Sequence, residues 1–309
     1  MKNLNRKDKK MINNKKLLNI LLVCILPLTL SAEEKSMEEL SQELANPLAQ
    51  IWNLSFQYNH TTLHGNVVDG DQTIDTTLFQ PVLPIPLEGG YTAFARPVVT
   101  YIKGPTHLGI TGGTPSSPIG VGLDETSQFG DLILPMGVGR VNKLGWSWGA
   151  GLTFIFPTSN NDLLGSHQYQ AGPTALALWA NEDWTIGTHI QHWCGIKDDG
   201  KSNDNPIIKA AHDQNLNHTD MQYFIVRNLP DAWQLRASPH ITYDWSAPKD
   251  NRLTLPVAFG VGKMIKIGPM PVMLMAEYQK TLISPDNIGS DDTIMFQANF
   301  IIKNPFGSL

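Results

Sequence analysis

Arg96, Asp131, Arg236, His240, Asp244 and Glu277 are ionisable residues set within segments that otherwise alternate apolar and polar side chains. Each falls on the face opposite the apolar stripe of its segment. Side chains of these types on one shared interior face can line a path for a solute, or they can pair with one another in an interior salt-bridge network. Buried charges must be paired in either case, so the residues alone leave both readings open. Other chemistries find less support. Lipid hydrolysis or acyl transfer needs a hydroxyl within reach of a histidine. His189, His192, His240 and Ser246 fall near outer strand ends, but no Gly-x-Ser-x-Gly or comparable arrangement accompanies them. The reading is non-enzymatic. The run Lys197-Asp198-Asp199-Gly200-Lys201-Ser202-Asn203-Asp204 is only loosely like a calcium loop, because the bidentate acid that closes such a loop is missing. It reads as an acidic exterior loop, and His212 and His218 beside it lack metal-ligand spacing. No glycine-rich loop joins a strand to a helix, so no phosphate cradle, and no cofactor or metal, is expected.

The elements that must position these side chains are strands. In 144–156, Trp146, Trp148, Ala150, Leu152, Phe154 and Phe156 share one face, and Ser147, Gly149, Gly151 and Thr153 share the other. That is the period-two pattern of a strand with one apolar face. Trp52, Leu54, Phe56 and Tyr58 against Asn53, Ser55, Gln57 and Asn59 repeat it. So do Trp233, Leu235, Ala237, Pro239, Ile241, Tyr243 and Trp245 against Gln234, Arg236, Ser238, His240, Thr242 and Asp244. Segments 253–262 and 294–303 follow, with weaker versions near 73–83, 91–102, 128–140, 171–180, 184–193, 220–228 and 271–280. About twelve strands result, each near the ~9–11 residues a tilted membrane strand needs.

Connections of two or three residues (88–90, 142–143, 181–183, 230–231, 267–269) alternate with long ones (60–72, 103–127, 157–169, 194–219, 246–251, 281–292). An up-and-down barrel with one end in the periplasm and the other outside gives that alternation. Tyr91, Trp146, Trp184 and Trp233 follow short turns, while Tyr58, Tyr101, Phe156, Trp193, Trp245 and Tyr278 precede long loops. These form two expected aromatic girdles, one per membrane interface. A soluble β-sandwich or lipocalin-like barrel is the alternative, but it gives the tryptophans no reason to gather at strand ends. The expected fold is an all-β, up-and-down antiparallel transmembrane β-barrel with one short N-terminal helix.

That helix is expected at 37–46. Ser36 and Glu39 can form a capping box, Met37, Leu40, Leu44 and Leu48 recur at helical spacing, and Pro47 marks its end. It could plug the lumen, lie on the inner membrane surface or hang free. Before it, seven basic residues, the apolar run 17–30 and Ser31-Ala32 describe a secretory leader. The expected organisation is a signal peptide over 1–32, a helix and possible plug over 33–48, and a barrel over 49–309. The leader carries a net +6, so its removal takes the formal charge from −5 to about −11. So acidic a chain is a poor nucleic-acid binder. One cysteine, Cys194, remains, which excludes a disulfide-stapled domain. No segment is long and apolar enough for a membrane helix.

Several stretches resemble a bacterial outer-membrane transporter family named for the MetA-pathway of phenol degradation. They are Glu43-Leu44-Ala45-Asn46-Pro47-Leu48-Ala49 before Phe56-Gln57-Tyr58-Asn59, Gly145-Trp146-Ser147-Trp148-Gly149-Ala150-Gly151 with Phe156-Pro157-Thr158, and Asp162-Leu163-Leu164-Gly165 leading to Ala171-Gly172-Pro173-Thr174-Ala175. Tyr243-Asp244-Trp245 and Leu255-Pro256-Val257 belong to the same resemblance, which spans about 40–303. It implies an outer-membrane channel for passive uptake of small solutes, aromatic or apolar ones among them. Outer-membrane lipid, a small-molecule solute and the barrel-assembly machinery are then the expected partners. A non-transporting barrel acting through its outer loops is the second expectation.

Overall fold

The computed structural model of the chain describes residues 35–66, 72–105, 125–142, 144–159, 165–200 and 215–306. The expected leader, most of the connection 103–127, Asp162-Leu163-Leu164, and 201–214 with His212 lie outside the described residues.

Helix α1 spans Met37–Leu44. Strands follow as β1 (Trp52–His64), β2 (Gln72–Phe79), β3 (Ile85–Pro86), β4 (Tyr91–Ala95), β5 (Val99–Pro105), β6 (Glu125–Phe129), β7 (Leu132–Val141) and β8 (Trp146–Phe156). The second half contains β9 (Gln168–Ala180), β10 (Trp184–Asp198), β11 (Asn217–Leu229), β12 (Trp233–Ala237), β13 (His240–Asp244), β14 (Leu253–Ile267), β15 (Met270–Ile283) and β16 (Gly289–Ile302). All pair antiparallel with their neighbours in one sheet, and β16 pairs with β1, so the sheet closes on itself. Closure removes the free edges that an open sheet would expose.

Among the described residues there are sixteen strands where about twelve were expected. The chain still makes twelve passes, because three of them are split and β3 is a two-residue bridge. Two breaks fall at Arg96-Pro97 and Ser238-Pro239, where proline has no N–H to give the ladder. The third is at Gly130-Asp131, where the Asp131 side chain turns to backbone amides instead. The connection expected at 281–292 is shorter, 284–288, because β15 runs on along β14 and β16 begins earlier along β1.

The short turns are built from residues that favour them. Asn142 Oδ1 accepts from the amides of Leu144 (2.9 Å) and Trp146 (3.0 Å), and Asn181 Oδ1 from those of Asp183 (3.0 Å) and Trp184 (2.7 Å). Gly145 has φ +82°, and a Cβ there would collide with the Ala180 carbonyl.

The two faces of the sheet are inverted relative to a water-soluble globule. Leu152, Phe259 and Phe296 are 55, 64 and 54% exposed on the outside, while Ser55, Thr153, Gln234 and Asn299 are at most 2% exposed within. This is an outer-membrane β-barrel, with an apolar exterior for lipid and a polar lumen. Among the described residues no helix is long and apolar enough to cross a membrane; the strands do so.

Helix α1 belongs to the same compact unit as the barrel. Its capping box is formed: Glu39 N donates to Ser36 Oγ (3.1 Å) and Ser36 N to Glu39 Oε2 (2.9 Å). Leu40, with Met37 and Leu44, packs on Ala232, Met264, Met273, Met275 and Ile301. Beyond the helix, Leu48 is 1% exposed and packs on Phe94, Leu176, Leu178 and Phe224. Burying each leucine contributes about 1.5–3 kcal/mol. Gln234 Nε2 donates to Ser41 O (3.0 Å), Gln42 Nε2 to Glu182 O (3.2 Å) and Asn46 Nδ2 to Ser147 Oγ (3.1 Å). These partners stand on or beside the short turns, so α1 is seated at that end of the barrel.

Candidate solute pathway in the barrel lumen

Inward-facing side chains from opposite walls meet at one level of the lumen. The Arg96 guanidinium, held at the proline break between β4 and β5, donates to Gln80 Oε1 (2.5 Å) and to Gln222 Oε1 (3.4 Å). Gln80 Nε2 continues to Gln57 Oε1 (2.8 Å), and Gln57 Nε2 to Asn59 Oδ1 (2.9 Å). Across the lumen, His240 Nδ1 and Asp220 Oδ1 lie 2.8 Å apart. Deeper, Arg236 Nη2 reaches Ser238 Oγ (3.5 Å), its Nη1 abuts Met275 Sδ, and its Nε is buried without a partner. Among the described residues neither Arg96 nor Arg236 forms an ion pair. Around the two guanidiniums the interior is an amide and hydroxyl network, with the His240–Asp220 pair within electrostatic reach of Arg96 and Glu277 within reach of Arg236.

Two chambers adjoin at this level. An outer one has Leu78, Val98, Ile133 and Trp193 on one wall and Asn59, Thr61, Thr254 and Thr293 on the others. An inner one is bounded by Arg236, His189, Gln234, Phe224 and Asn299, with Leu44, Ala45 and Pro47 beside the helix seat. Gln57, Gln80, Arg96, His240 and Gln279 line both.

Of the six expected path residues, Arg96, Arg236, His240 and Asp131 line a chamber. Asp131 is also a loop anchor, its oxygens accepting from Ser159 N (2.9 Å) and Ser166 N (2.7 Å). Asp244 and Glu277 line neither chamber. Asp244 Oδ1 accepts from Ser246 N (2.8 Å) and Ala247 N (3.2 Å), the local turn that aspartate favours. Glu277 is 2% exposed, accepting from Ser238 Oγ and Gln279 Nε2 at 2.9 Å each.

Outside, Tyr91, Trp146, Trp184 and Trp233 are exposed near the short turns, and Tyr58, Tyr101, Trp245 and Tyr278 toward the other end; Phe156 is half-buried. Trp193 departs from its expected girdle. It is 1% exposed, packs inside the barrel with Leu78, Val98, Ile133 and Ile155, and donates Nε1 to Thr153 Oγ1 (3.0 Å). Its parity with the buried Thr185, His189 and Gln191 on β10 is the reason. Three girdle rings carry a cation from the directly paired strand: Arg140 over Tyr91 (5.4 Å), Arg227 over Trp184 (5.1 Å) and Lys263 over Trp233 (5.0 Å). The imidazoles weighed for catalysis are engaged elsewhere. His189 Nε2 meets Thr174 Oγ1 at 2.8 Å inside the lumen, and the Ser246 hydroxyl donates to Asn215 O (2.7 Å). Gln57, Gln80, Asp220 and Gln222 were missed. They are polar members of segments whose faces alternate, and only cross-strand register shows that they converge.

No family model and no curated protein sequence matches the chain. Its structure is similar to that of an outer membrane channel from Pseudomonas putida F1, with 14% identity and a TM-score of 0.56 over 82% of this chain and 95% of that one. It also matches the NanC porin at 9% identity and a TM-score of 0.45, over 80% of this chain and 99% of that one. At these identities the first likeness establishes the fold: the chain folds as an outer-membrane β-barrel of the kind that first structure shows.

Proposed function

We propose that the barrel is a channel for passive passage of small amphipathic solutes, aromatic ones among them, as in the transporter family that it resembles. The observation that carries this reading is the succession of two chambers within the barrel, joined at the level of Gln57, Gln80, Arg96, His240 and Gln279. The outer chamber offers an apolar wall to a ring or alkyl body and a polar wall to hydroxyls or carboxylates. No energy-coupling element is needed for movement down a gradient. The refolded chain in a planar bilayer is expected to show steady single-channel conductance, changed in ion preference by Arg96→Ala. The seat of α1 at the inner end favours a second reading, a closed, non-transporting barrel. A heat-modifiable barrel that conducts neither with α1 nor without it would support that reading and sink the channel.

A further inference from the structure

The two chambers differ in charge. Asp131 and Asp220 line the outer one together with Arg96 and His240. The inner one is lined by Arg96, His189, Arg236 and His240, and among the described residues no carboxylate lines it. Two acids lie close to it. Glu277 is within electrostatic reach of Arg236, with one oxygen accepting from Ser238 Oγ and the other from Gln279 Nε2, so its bonding capacity is taken by these two and not by the guanidinium. Asp220 Oδ1 is held by His240.

The guanidinium donors facing this chamber are under-used. Arg236 Nε is buried with no partner. Its Nη1 meets the Met275 thioether, a weak acceptor, and its Nη2 reaches Ser238 Oγ only at 3.5 Å. A buried guanidinium with unfilled donors is costly, and a planar two-oxygen anion is its best complement. The rest of the inner lining is mostly amides and hydroxyls, with Phe224, Val226, Met275 and Met295 among them to meet an apolar body.

We propose that the inner chamber is a binding site for small organic carboxylates with an apolar body, their charged end held by Arg236 and reached by way of Arg96. This rests on the channel reading and names its substrate class. Arg96 stands where the chambers join, so an anion entering from the outer chamber meets it before Arg236. A cation is disfavoured by two guanidiniums, and a neutral analogue leaves their donors unfilled.

The test uses the full chain in a planar bilayer carrying chloride current, with benzoate, benzyl alcohol, benzylammonium or inorganic phosphate added to one side. Benzoate is expected to reduce the current in a saturable way, and the other three to do so weakly or not at all. In Arg236→Gln the half-blocking benzoate concentration is expected to rise about tenfold or more, the loss of one charge-assisted pair. Arg236→Lys, which keeps the charge without the fork, is expected to fall between. Heat-modifiable migration checks that each variant is folded, and the neutral glutamine relieves a buried charge instead of adding one. Equal block by benzoate and benzyl alcohol, equal block by benzoate and phosphate, or an unchanged benzoate response in Arg236→Gln would each overturn the proposal. A wild-type barrel that conducts nothing defeats the channel reading by itself. Thermal unfolding in detergent then reads the site directly: benzoate must raise the transition of wild type and not of Arg236→Gln.

Discussion

Arg96 and Glu277 carry opposite charges on the same inner surface and are satisfied in opposite ways. Arg96 is met by two glutamine carbonyls. Glu277 collects a hydroxyl and an amide. Glu277→Leu therefore strands the buried Ser238 hydroxyl and the half-buried Gln279 amide. It is expected to lower barrel stability by about 1–3 kcal/mol, measured as the urea midpoint of the refolded barrel in vesicles. An unchanged midpoint would mean that neither donor depends on Glu277. The individual residues were only partly legible in the sequence. Parity put Arg96, Arg236 and His240 on the inner face, and that is where they stand. Parity also placed Asp244 there, yet its short side chain is taken by the two amides that follow it. At Trp193 the opposite error occurred. The aromatic type and its place before a long loop suggested the membrane interface, while its spacing from His189 and Gln191 pointed inward, and packing against Leu78, Val98 and Ile133 decided for the lumen.

Among the elements, α1 is the one whose place the sequence left open. Its apolar stripe requires a partner, but three locations could supply one. The partner is the inner end of the barrel, where Met264, Met273 and Met275 offer flexible side chains that adapt to an inserted helix. We propose that α1 restricts the inner mouth. Leu40→Lys places a charge in that seat and is expected to unseat the helix and raise single-channel conductance without loss of the folded barrel. Unchanged conductance would show that α1 leaves the path open. The strands were legible because a period of two survives wherever one face meets lipid and the other water. Their continuity was not. Pro239 reads as one more member of an apolar face, yet without an N–H it ends β12, and Pro97 does the same for β4. The breaks matter, because Arg96 and Ser238 stand at them with their side chains in the lumen network.

For the whole molecule, the reading turns on which face of the sheet meets lipid. Thr153 is fully buried inside the closed sheet and its neighbour Leu152 is 55% exposed outside, although both sit near the middle of β8. In a water-soluble fold an exposed Leu152 could become arginine at almost no cost. In a bilayer the same change puts a charge among acyl chains, at about 2–4 kcal/mol near the midplane and much less near the interfaces. Leu152→Arg is therefore expected to lower the free energy of folding into phosphatidylcholine vesicles by that amount. Ile267→Arg, on the same outer face at the end of β14 beside a short turn, is expected to lower it by less than about 1 kcal/mol. Urea titration of both variants compares one substitution at two depths, so the intrinsic effect of arginine on the strand is common to both. Equal costs would mean that the apolar exterior does not sit across a membrane, and the lumen would then need another explanation than transport.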